Sequence, residues 1–533
     1  MRFDYTSRVV VYFVVRCLSD NANSGIFVSE GLSSGQPIPV RRETVVAFLG
    51  SASRGPVGIP VTVGGIDEYL KRFGVSGCNS PLHDALRQFF KNGGKNAIVV
   101  RVCSSKRRHR IVLPGPSGAL TLEAINPGSH ELLRASIDYD GIPSTDHDRF
   151  NLVVHRLVSR DRPFVEQQEF YRSVSVDISD TDFVGYALSG SELVSAKGAI
   201  PEQRPDVTFR RGIEIGASYI YVDPDWHDAE CLTDYDLIGS NTEGTGLFAL
   251  DQVPCIDLIN IVSDAQDLGP VALFAAERYC RERNALLLVD PPTHWQSVDD
   301  AIRSAREIGF SSPNVVTYFP RPGVPGEPPT SVLGALAGAL VGGDERDGIW
   351  SLPGNKSLEM RVRAELPISL DIEEQHALKR VGINALRLNG PSRLELTGWV
   401  TLNRGAGCIT EWDKLHLRRM VLFIIESISR GTRWAAFQDS NAETWVELHE
   451  HVQHYLHELF TAGALAGTSA SDAGYVVCDR QTNSTAMSGK SGVSFVIGFI
   501  PLGYGLQSFH FHQCPVECQV QAIRIEHSAV LAS

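Results

Sequence analysis

From residue 256 to residue 341 the sequence alternates between short apolar runs and longer amphipathic stretches, and this alternation restricts the possible folds more than any other feature. Short apolar runs bounded by turn residues predict buried strands, and apolar residues spaced three and four apart predict helices. Strands and helices in regular alternation form a parallel sheet covered by helices. The predicted strands are 256–262, 285–289 and 315–319, and the predicted helices are 270–283, 297–308 and 333–341.

An earlier part of the chain, residues 45–102, has the same pattern. A buried strand at 45–50 is followed by a helix that begins after Ser80, and a second buried strand occupies 96–102. Serine is a favoured N-cap, and a proline directly after it costs no helical hydrogen bond. We therefore predict two parts of one layered α/β core, 45–105 and 241–390.

Three glycines repeat at every fourth residue of the last predicted core helix: Gly334, Gly338 and Gly342. They do not follow a strand in the GxGxxG manner, so a cofactor loop is the weaker interpretation. Small residues at this spacing let a helix approach its neighbour closely. The spacing predicts a packing face, and we predict no cofactor.

Residues 106–240 have a different texture, with short alternating segments and no long apolar helix. Alternation with a period of two predicts strands that are buried on one face. We therefore predict a β-rich insertion domain at the surface of an overall α+β arrangement. A basic run at 106–110 lies at its start, and a solvated linker is the interpretation we prefer, because no aromatic residues interleave with the basic ones.

The C-terminal third, residues 391–513, carries two long helical patterns. The first begins near residue 410 and ends at Gly431; the second begins at Ser440 and ends at Gly463. Each has apolar residues at steps of three and four, which predicts one buried stripe per helix. A strand at 493–499 follows, and a tail of residues 514–533 ends the chain.

Both ends of the chain contain extended segments that lack a helical period. Residues 1–44 are predicted to form an N-terminal arm with strand-like residues Ile26, Phe27 and Val28, and the C-terminal extended stretch contains Phe509 and Phe511. An extended arm cannot satisfy its own backbone N–H and C=O groups. We therefore predict that these residues form intersubunit strands, which add to the sheets of other copies.

Composition excludes several classes of protein. The net charge of −13 argues against nucleic acid as a partner, because phosphate binding needs a basic surface. No stretch approaches the roughly 18 consecutive apolar residues of a membrane span. Ten cysteines without a CxxC pair are typical of reduced thiols in a cytoplasm.

An enzyme would place its site near Asp290, which follows the strand 285–289, with His294 four residues later and Asp264 after the preceding strand. Open α/β sheets bind ligands at this edge. However, the sequence has no GxSxG elbow and no GxxxxGK[ST] phosphate loop. The Asp-Pro-Pro sequence at 290–292 is also typical of the end of a strand. We predict no catalytic residues and no metal site, and treat His454 and His457 as part of a solvated helix face.

Short motifs in a fixed order resemble the family of contractile tail sheath proteins, which form the sheaths of contractile phage tails and phage-like injection particles. The motifs in the first part of the chain are Ala-Phe-Leu-Gly at 47–50, Arg-Gly-Pro at 54–56, Phe-Phe-Lys-Asn-Gly-Gly at 89–94 and Val-Val-Arg-Val at 99–102. Those in the later part are Leu-Leu-Val-Asp-Pro-Pro at 287–292, Gly-Ile-Trp-Ser-Leu-Pro-Gly-Asn at 348–355, Gly-Trp-Val-Thr-Leu at 398–402, Gly-Thr-Arg-Trp at 431–434 and Gly-Ala-Leu-Ala-Gly at 463–467.

The resemblance implies a structural subunit and not an enzyme. Copies would stack as hexameric rings in a helical sheath around an inner tail tube protein, between baseplate and tail terminator proteins, and contract by rigid-body rearrangement. It further implies assembly in a bacterial host cytoplasm and a final place in a virion tail or phage-like particle. The C-terminal domain would face the tube, which makes Lys414, Arg418 and Arg419 the candidate tube-facing cations.

Two alternatives stay open at the level of sequence. One is a component of a type VI secretion-like sheath, in which the sheath is usually built from two different chains. The other is a soluble α/β enzyme with its site near Asp290.

Overall fold

A computed structural model describes most of the chain. The described residues are 9–12, 29–32, 37–40, 42–74, 80–104, 108–128, 131–158, 164–208, 218–222, 232–264, 267–307, 310–323, 330–351, 359–362, 365–390, 393–403, 411–483, 492–515 and 518–523. The chain divides into two compact units. The smaller unit comprises Met1–Glu43, Gly348–Leu352 and His416–Ser533, and the larger unit comprises Thr44–Asp347 and Pro353–Leu415.

Strands and helices are numbered separately along the chain. The strands are β1 (Val9–Tyr12), β2 (Ser29–Leu32), β3 (Val46–Ser51), β4 (Val61–Val63), β5 (Ala97–Val102), β6 (Arg110–Leu113), β7 (Leu120–Ala124), β8 (Leu133–Asp138), β9 (Arg149–Leu157), β10 (Val165–Ser175), β11 (Val194–Lys197), β12 (Ile220–Tyr221), β13 (Leu258–Ile261), β14 (Leu286–Val289), β15 (Val315–Phe319), β16 (Glu359–Arg361), β17 (Asn384–Leu388), β18 (Arg393–Thr397), β19 (Gly474–Val477), β20 (Val493–Phe499), β21 (Gln507–Gln513) and β22 (Cys518–Ile523). The helices are α1 (Ile66–Phe73), α2 (Pro81–Lys91), α3 (Val184–Ala187), α4 (Asp234–Ile238), α5 (Pro270–Glu282), α6 (Val298–Glu307), α7 (Leu333–Asp347), α8 (Ile372–Arg380), α9 (Leu415–Gly431), α10 (Ala442–Thr461) and α11 (Ala470–Ala473).

The larger unit is built on a nine-stranded sheet with the order β16-β18-β17-β15-β14-β13-β3-β5-β4. Its six central strands, from β17 to β5, run parallel, and the pairings outside them, β17 with β18, β18 with β16 and β5 with β4, are antiparallel. Both predicted parts of the core therefore contribute to one sheet, since β3 pairs with β13 across the insertion. The predicted α/β fold class is confirmed.

Helices cover both faces of this sheet. Neighbouring residues of a strand point to opposite faces, so a buried strand packs against helices on both sides. On β3, Phe48 packs edge-on against Phe89 of α2, with ring centroids 5.3 Å apart. Its neighbours Ala47 and Leu49 join the other hydrophobic layer, together with Ala276 and Cys280 of α5. A strand buried on both faces is uniformly apolar, which is why the sequence pattern of β3 does not alternate.

Helix α2 begins where the sequence predicts it. The hydroxyl of Ser80 accepts a hydrogen bond from the backbone N–H of His83, and Pro81 is the first helical residue. Leu82, Ala85, Leu86 and Phe89 form its buried stripe.

The glycine repeat of α7 packs against α2, as predicted. A Cβ atom on Gly334 would overlap the carbonyl oxygen of Ala85, and one on Gly338 would overlap that of Phe89. The spacing of four residues places these positions on one helix face. Backbone contact with α2 is therefore the physical reason for these glycines.

The β-rich character of the insertion is also confirmed. It contains β6 to β12, arranged as a four-stranded sheet, β10-β9-β8-β12, and a three-stranded sheet, β11-β7-β6. Both sheets contribute to one hydrophobic core that includes Leu122, Ile137 and Phe150. The domain boundaries inferred from the sequence stay predictions.

The smaller unit contains a four-stranded antiparallel sheet with the order β19-β20-β21-β22, and helices α10 and α11 lie against β19. The predicted stripe of α9 is buried at Leu417, Met420, Val421, Ile424 and Ile428. Helix α10 differs at its start, because Asn441 and not Ser440 is the N-cap, with its side chain accepting from the N–H of Thr444. Within the described residues, no helix has the length and apolar character needed to cross a bilayer.

Candidate assembly site

The four-stranded sheet of the smaller unit contains the C-terminal residues that the sequence analysis assigned to an intersubunit arm. Phe509 and Phe511 lie on β21, an interior strand of that sheet, and are 2% and 0% exposed. Their rings stack on Phe499 and Phe495 of β20 at centroid distances of 5.8 and 4.9 Å.

In the folded chain these two side chains therefore lie in a sheet of the same chain, and their assignment to intersubunit strands stays a prediction. Strand β21 pairs with β20 on one side and with β22 on the other, so its backbone groups are satisfied within the chain. The sequence showed an extended segment, but it did not show that this segment has two strands of its own chain beside it.

The outer strands of this sheet are β19 and β22, and each pairs with one neighbour among the described strands. Strand β22 is largely exposed, with Ile523 at 40%, and on β19 Tyr475 and Val477 are each 37% exposed. An outer strand presents a row of N–H and C=O groups that can pair with another chain. Adding a strand to such an edge is a common mode of protein association.

At the N-terminal end, β1 and β2 pair antiparallel over four residues each, from Val9 opposite Leu32 to Tyr12 opposite Ser29. Residues 9–12 thus form a strand, whereas Ile26, Phe27 and Val28 lie outside the described residues. A two-stranded ribbon is marginally stable by itself, and a third strand or a packed face stabilises it. This ribbon and the outer strands β19 and β22 are the candidate assembly site.

The three candidate tube-facing cations differ in exposure. Lys414 is exposed, Arg418 is half-buried, and Arg419 is 6% exposed. Burial lowers the pKa of Arg418 to about 10. Arg419 is nearly buried because its position in α9 turns it towards the interior of the fold, and the tube-facing role of the three cations stays a prediction. The sequence pattern could not show this, since consecutive helical residues 418 and 419 both look like surface cations.

The carboxyl ends of the parallel strands hold the residues of the enzyme alternative. The carboxylate of Asp290 lies 3.7 Å from the guanidinium of Arg321, which also pairs with Asp267 at 2.9 Å. The backbone N–H of Val332 donates to Asp290. Burial raises the pKa of Asp290, although the charge of Arg321 acts against this.

The other two residues of that alternative have separate partners. Ser51 donates to Asp264 at 2.5 Å, and the ring of His294 contacts the hydroxyl of Ser304 at 3.2 Å. The structure therefore uses Asp290 to hold the loop before α7 and Asp264 to hold the end of β3. In the described part of the chain, no three histidine, cysteine, aspartate or glutamate side chains are grouped so that they could hold a metal ion.

Comparison with solved structures identifies the fold. The sheath tail protein of Listeria innocua is 13% identical, and the match covers 91% of this chain and 96% of that one with a TM-score of 0.60. The sheath tail protein of Desulfitobacterium hafniense is 12% identical over 94% and 100% of the two chains, with a TM-score of 0.52. A chain of the anti-feeding prophage baseplate in its contracted state is 12% identical over 90% and 95%, with a TM-score of 0.51.

No family model and no curated protein matches the sequence. The structural matches define the class: this chain has the fold of the tail sheath proteins. More particularly, both compact units are included, since the matches extend over nine-tenths or more of the chain. The resemblance inferred from the short motifs is confirmed at the level of the fold.

Proposed function

We propose that this protein is the structural subunit of a contractile tail sheath. Copies would stack as hexameric rings, wind into a helical sleeve around an inner tube protein, and contract by rigid-body rotation to drive the tube through a target envelope. Baseplate and tail terminator proteins would bind the two ends. The observation that carries this proposal is the sheath fold, which extends over more than nine-tenths of both chains in the match to the Listeria innocua protein.

The candidate assembly site supports the proposal. A head-to-tail contact that does not close on itself builds an open helical filament, and strand addition between copies is such a contact. A further strand would stabilise the ribbon of β1 and β2, and β19 and β22 are outer strands, whose edges can accept one. A donated strand that makes about 4–6 hydrogen bonds at about 1 kcal/mol each would hold neighbouring copies together while their cores rotate.

Of the three cations predicted to face the tube, Lys414 retains an exposed side chain. We keep it as the candidate contact with the tube. An exposed cation contributes a weak, salt-screened attraction, which is readily broken when a sheath contracts.

The test is electron microscopy of the purified protein. We expect striated sleeves from the wild type and none from a variant that lacks residues 1–36. The deletion ends before Ile38, because that side chain is buried in the smaller unit. A matched control replaces residues 1–36 by a Gly/Ser segment of the same length, which keeps the chain length but removes the strand-forming residues; we expect it to fail as well.

Sleeves from the deletion variant would contradict the role of the arm. Sleeves that form only after a second, different chain is added would favour the type VI-like alternative. The enzyme alternative is addressed by Asp290→Asn, which we expect to leave sleeve formation unchanged, because Asp290 lies among hydrogen bonds of the loop before α7 and not at an outer strand.

A further inference from the structure

Residues 37–43 are the last part of the N-terminal arm before the first core strand, and among those that the structure describes, 37–40 and 42–43, Ile38 is buried. Pro37 and Pro39 are exposed on either side of it, whereas Ile38 is 2% exposed. An alternation of exposed and buried residues is typical of an extended segment lying on a surface. The segment therefore inserts one apolar side chain into the smaller unit.

The space for Ile38 is provided by Gly431, the last residue of α9. A Cβ atom on Gly431 would overlap Cγ1 of Ile38 and would lie 2.9 Å from its Cδ1. Gly431 is not among the glycines with a positive φ, so its backbone conformation does not require glycine. What requires glycine here is the space that Ile38 occupies.

A second contact lies further along the same helix. The guanidinium of Arg42 lies over the ring of Phe423, 4.8 Å from its centroid. Four extended residues, from Ile38 to Arg42, span about 13 Å. Eight helical residues, from Gly431 back to Phe423, span about 12 Å. The two lengths match, so the chain direction from Ile38 to Arg42 is antiparallel to α9.

The sequence of the segment favours this docking. Proline fixes φ at Pro37 and Pro39, and the residue before a proline is restricted to extended conformations, which applies to Ile38. An unfolded segment with fewer conformations loses less entropy when it becomes ordered. The segment is thus prepared for the extended form in which it lies on α9.

We infer that Ile38 and Arg42, near the end of the N-terminal arm, anchor the arm to α9 of the same chain, with Ile38 in the Gly431 slot as the anchoring contact. The part of the arm before Pro37 is then the part that reaches other molecules. This last step rests on the sheath proposed above. There, a force applied to the arm would be transmitted to α9 of the smaller unit before it is transmitted to Thr44, the first residue of the larger unit.

The anchor is tested on the unassembled chain by limited trypsin digestion, with mass spectrometry to follow cleavage after Arg42. Cleavage there needs the segment to leave α9. Ile38→Ala removes most of the buried side chain, and we expect cleavage after Arg42 to become at least about tenfold faster than in the wild type. Ile178→Ala is the matched control, because Ile178 is 69% exposed, and should leave the rate unchanged.

Gly431→Ala gives a sharper test because its effect should depend on residue 38. In the wild-type background the added methyl group collides with Ile38, so cleavage after Arg42 should again accelerate. In the Ile38→Ala background only Cβ of residue 38 remains, at 3.4 Å, and the same substitution should cause no further acceleration. Such non-additivity is expected only of residues that are in contact.

Equal cleavage rates in the wild type and Ile38→Ala would overturn the anchor, as would an acceleration by Gly431→Ala that is the same in both backgrounds. A global loss of structure is distinguished by circular dichroism and by cleavage outside the segment, which should not change in either variant. Because this assay needs no sleeves, failure of the anchor and failure of the proposed sheath function are separate results.

Discussion

Arg101 illustrates how one buried charge can hold two parts of the chain together. It is 1% exposed, and its guanidinium donates to the carbonyl oxygens of Ala52, Gly55 and Pro127 at 2.9, 2.7 and 2.8 Å. The first two belong to the turn after β3, and the third belongs to the loop between β7 and β8 of the insertion. A charged residue in an apolar strand pattern would look like an interruption, but here it binds the insertion to the core.

A titratable residue that should affect stability is His416, in the first turn of α9. Burial, together with the charge of Arg419, lowers the pKa of His416 to about 3 from its usual 6.5. The unfolded chain then binds more protons than the folded chain between these pH values, so stability falls as the pH drops below about 6.5. We expect a loss on the order of 2 kcal/mol by pH 5 from this group.

The measurement is urea denaturation at pH 7 and pH 5. In His416→Gln the difference between the two pH values should be smaller than in the wild type by about 2 kcal/mol. His454→Gln is the control, because His454 is exposed on α10 and lies 3.4 Å from Glu458. An unchanged pH dependence in His416→Gln would show that this histidine titrates normally in the folded chain.

At the scale of elements, the contact between α2 and α7 is set by backbone approach. We expect Gly334→Ala to destabilise the larger unit by about 1–3 kcal/mol, because the new methyl group overlaps the main chain at Ala85. Gly342→Ala is the matched control, since its Cβ would lie 3.3 Å from the carbonyl oxygen of Asn92, and the change should stay within about 1 kcal/mol. Urea denaturation measures both, and equal effects would contradict the close approach.

At the scale of the whole molecule, the chain folds as two compact units. Gly334 belongs to the larger unit and Phe511 to the smaller, where its ring stacks on Phe495. Phe511→Ala should cost about 3–5 kcal/mol, as for other buried aromatic side chains. Because the two residues share no partner in the described structure, their losses should add within about 0.5 kcal/mol in the double variant.

Denaturation of the two single variants and the double variant measures this additivity. A coupling above about 1 kcal/mol would show that the two substitutions act on one cooperative core. A negligible effect of Phe511→Ala in the unassembled chain would instead favour the predicted intersubunit strand as the place where Phe511 is needed.

The sequence by itself determined the positions of the core strands and helices and the layered α/β class. Ser80 and Pro81 predicted the start of α2, and the period of four predicted the glycine face of α7. These features are local, because a hydrophobic period, a cap or a turn depends on residues within a few positions of one another. The order of the short motifs along the chain also predicted the sheath fold, because those motifs lie in the same locally determined strands, turns and helices.

Tertiary structure alone decided which extended segments have partners and which charges are exposed. Phe511 lies inside a sheet of its own chain, Arg419 points inward, and Ile38 fills the space left by Gly431. Each of these facts depends on contacts with residues far away in sequence or on the rotation of a whole helix. Burial and strand pairing are properties of the packed molecule, so they cannot be predicted from a short segment of the sequence.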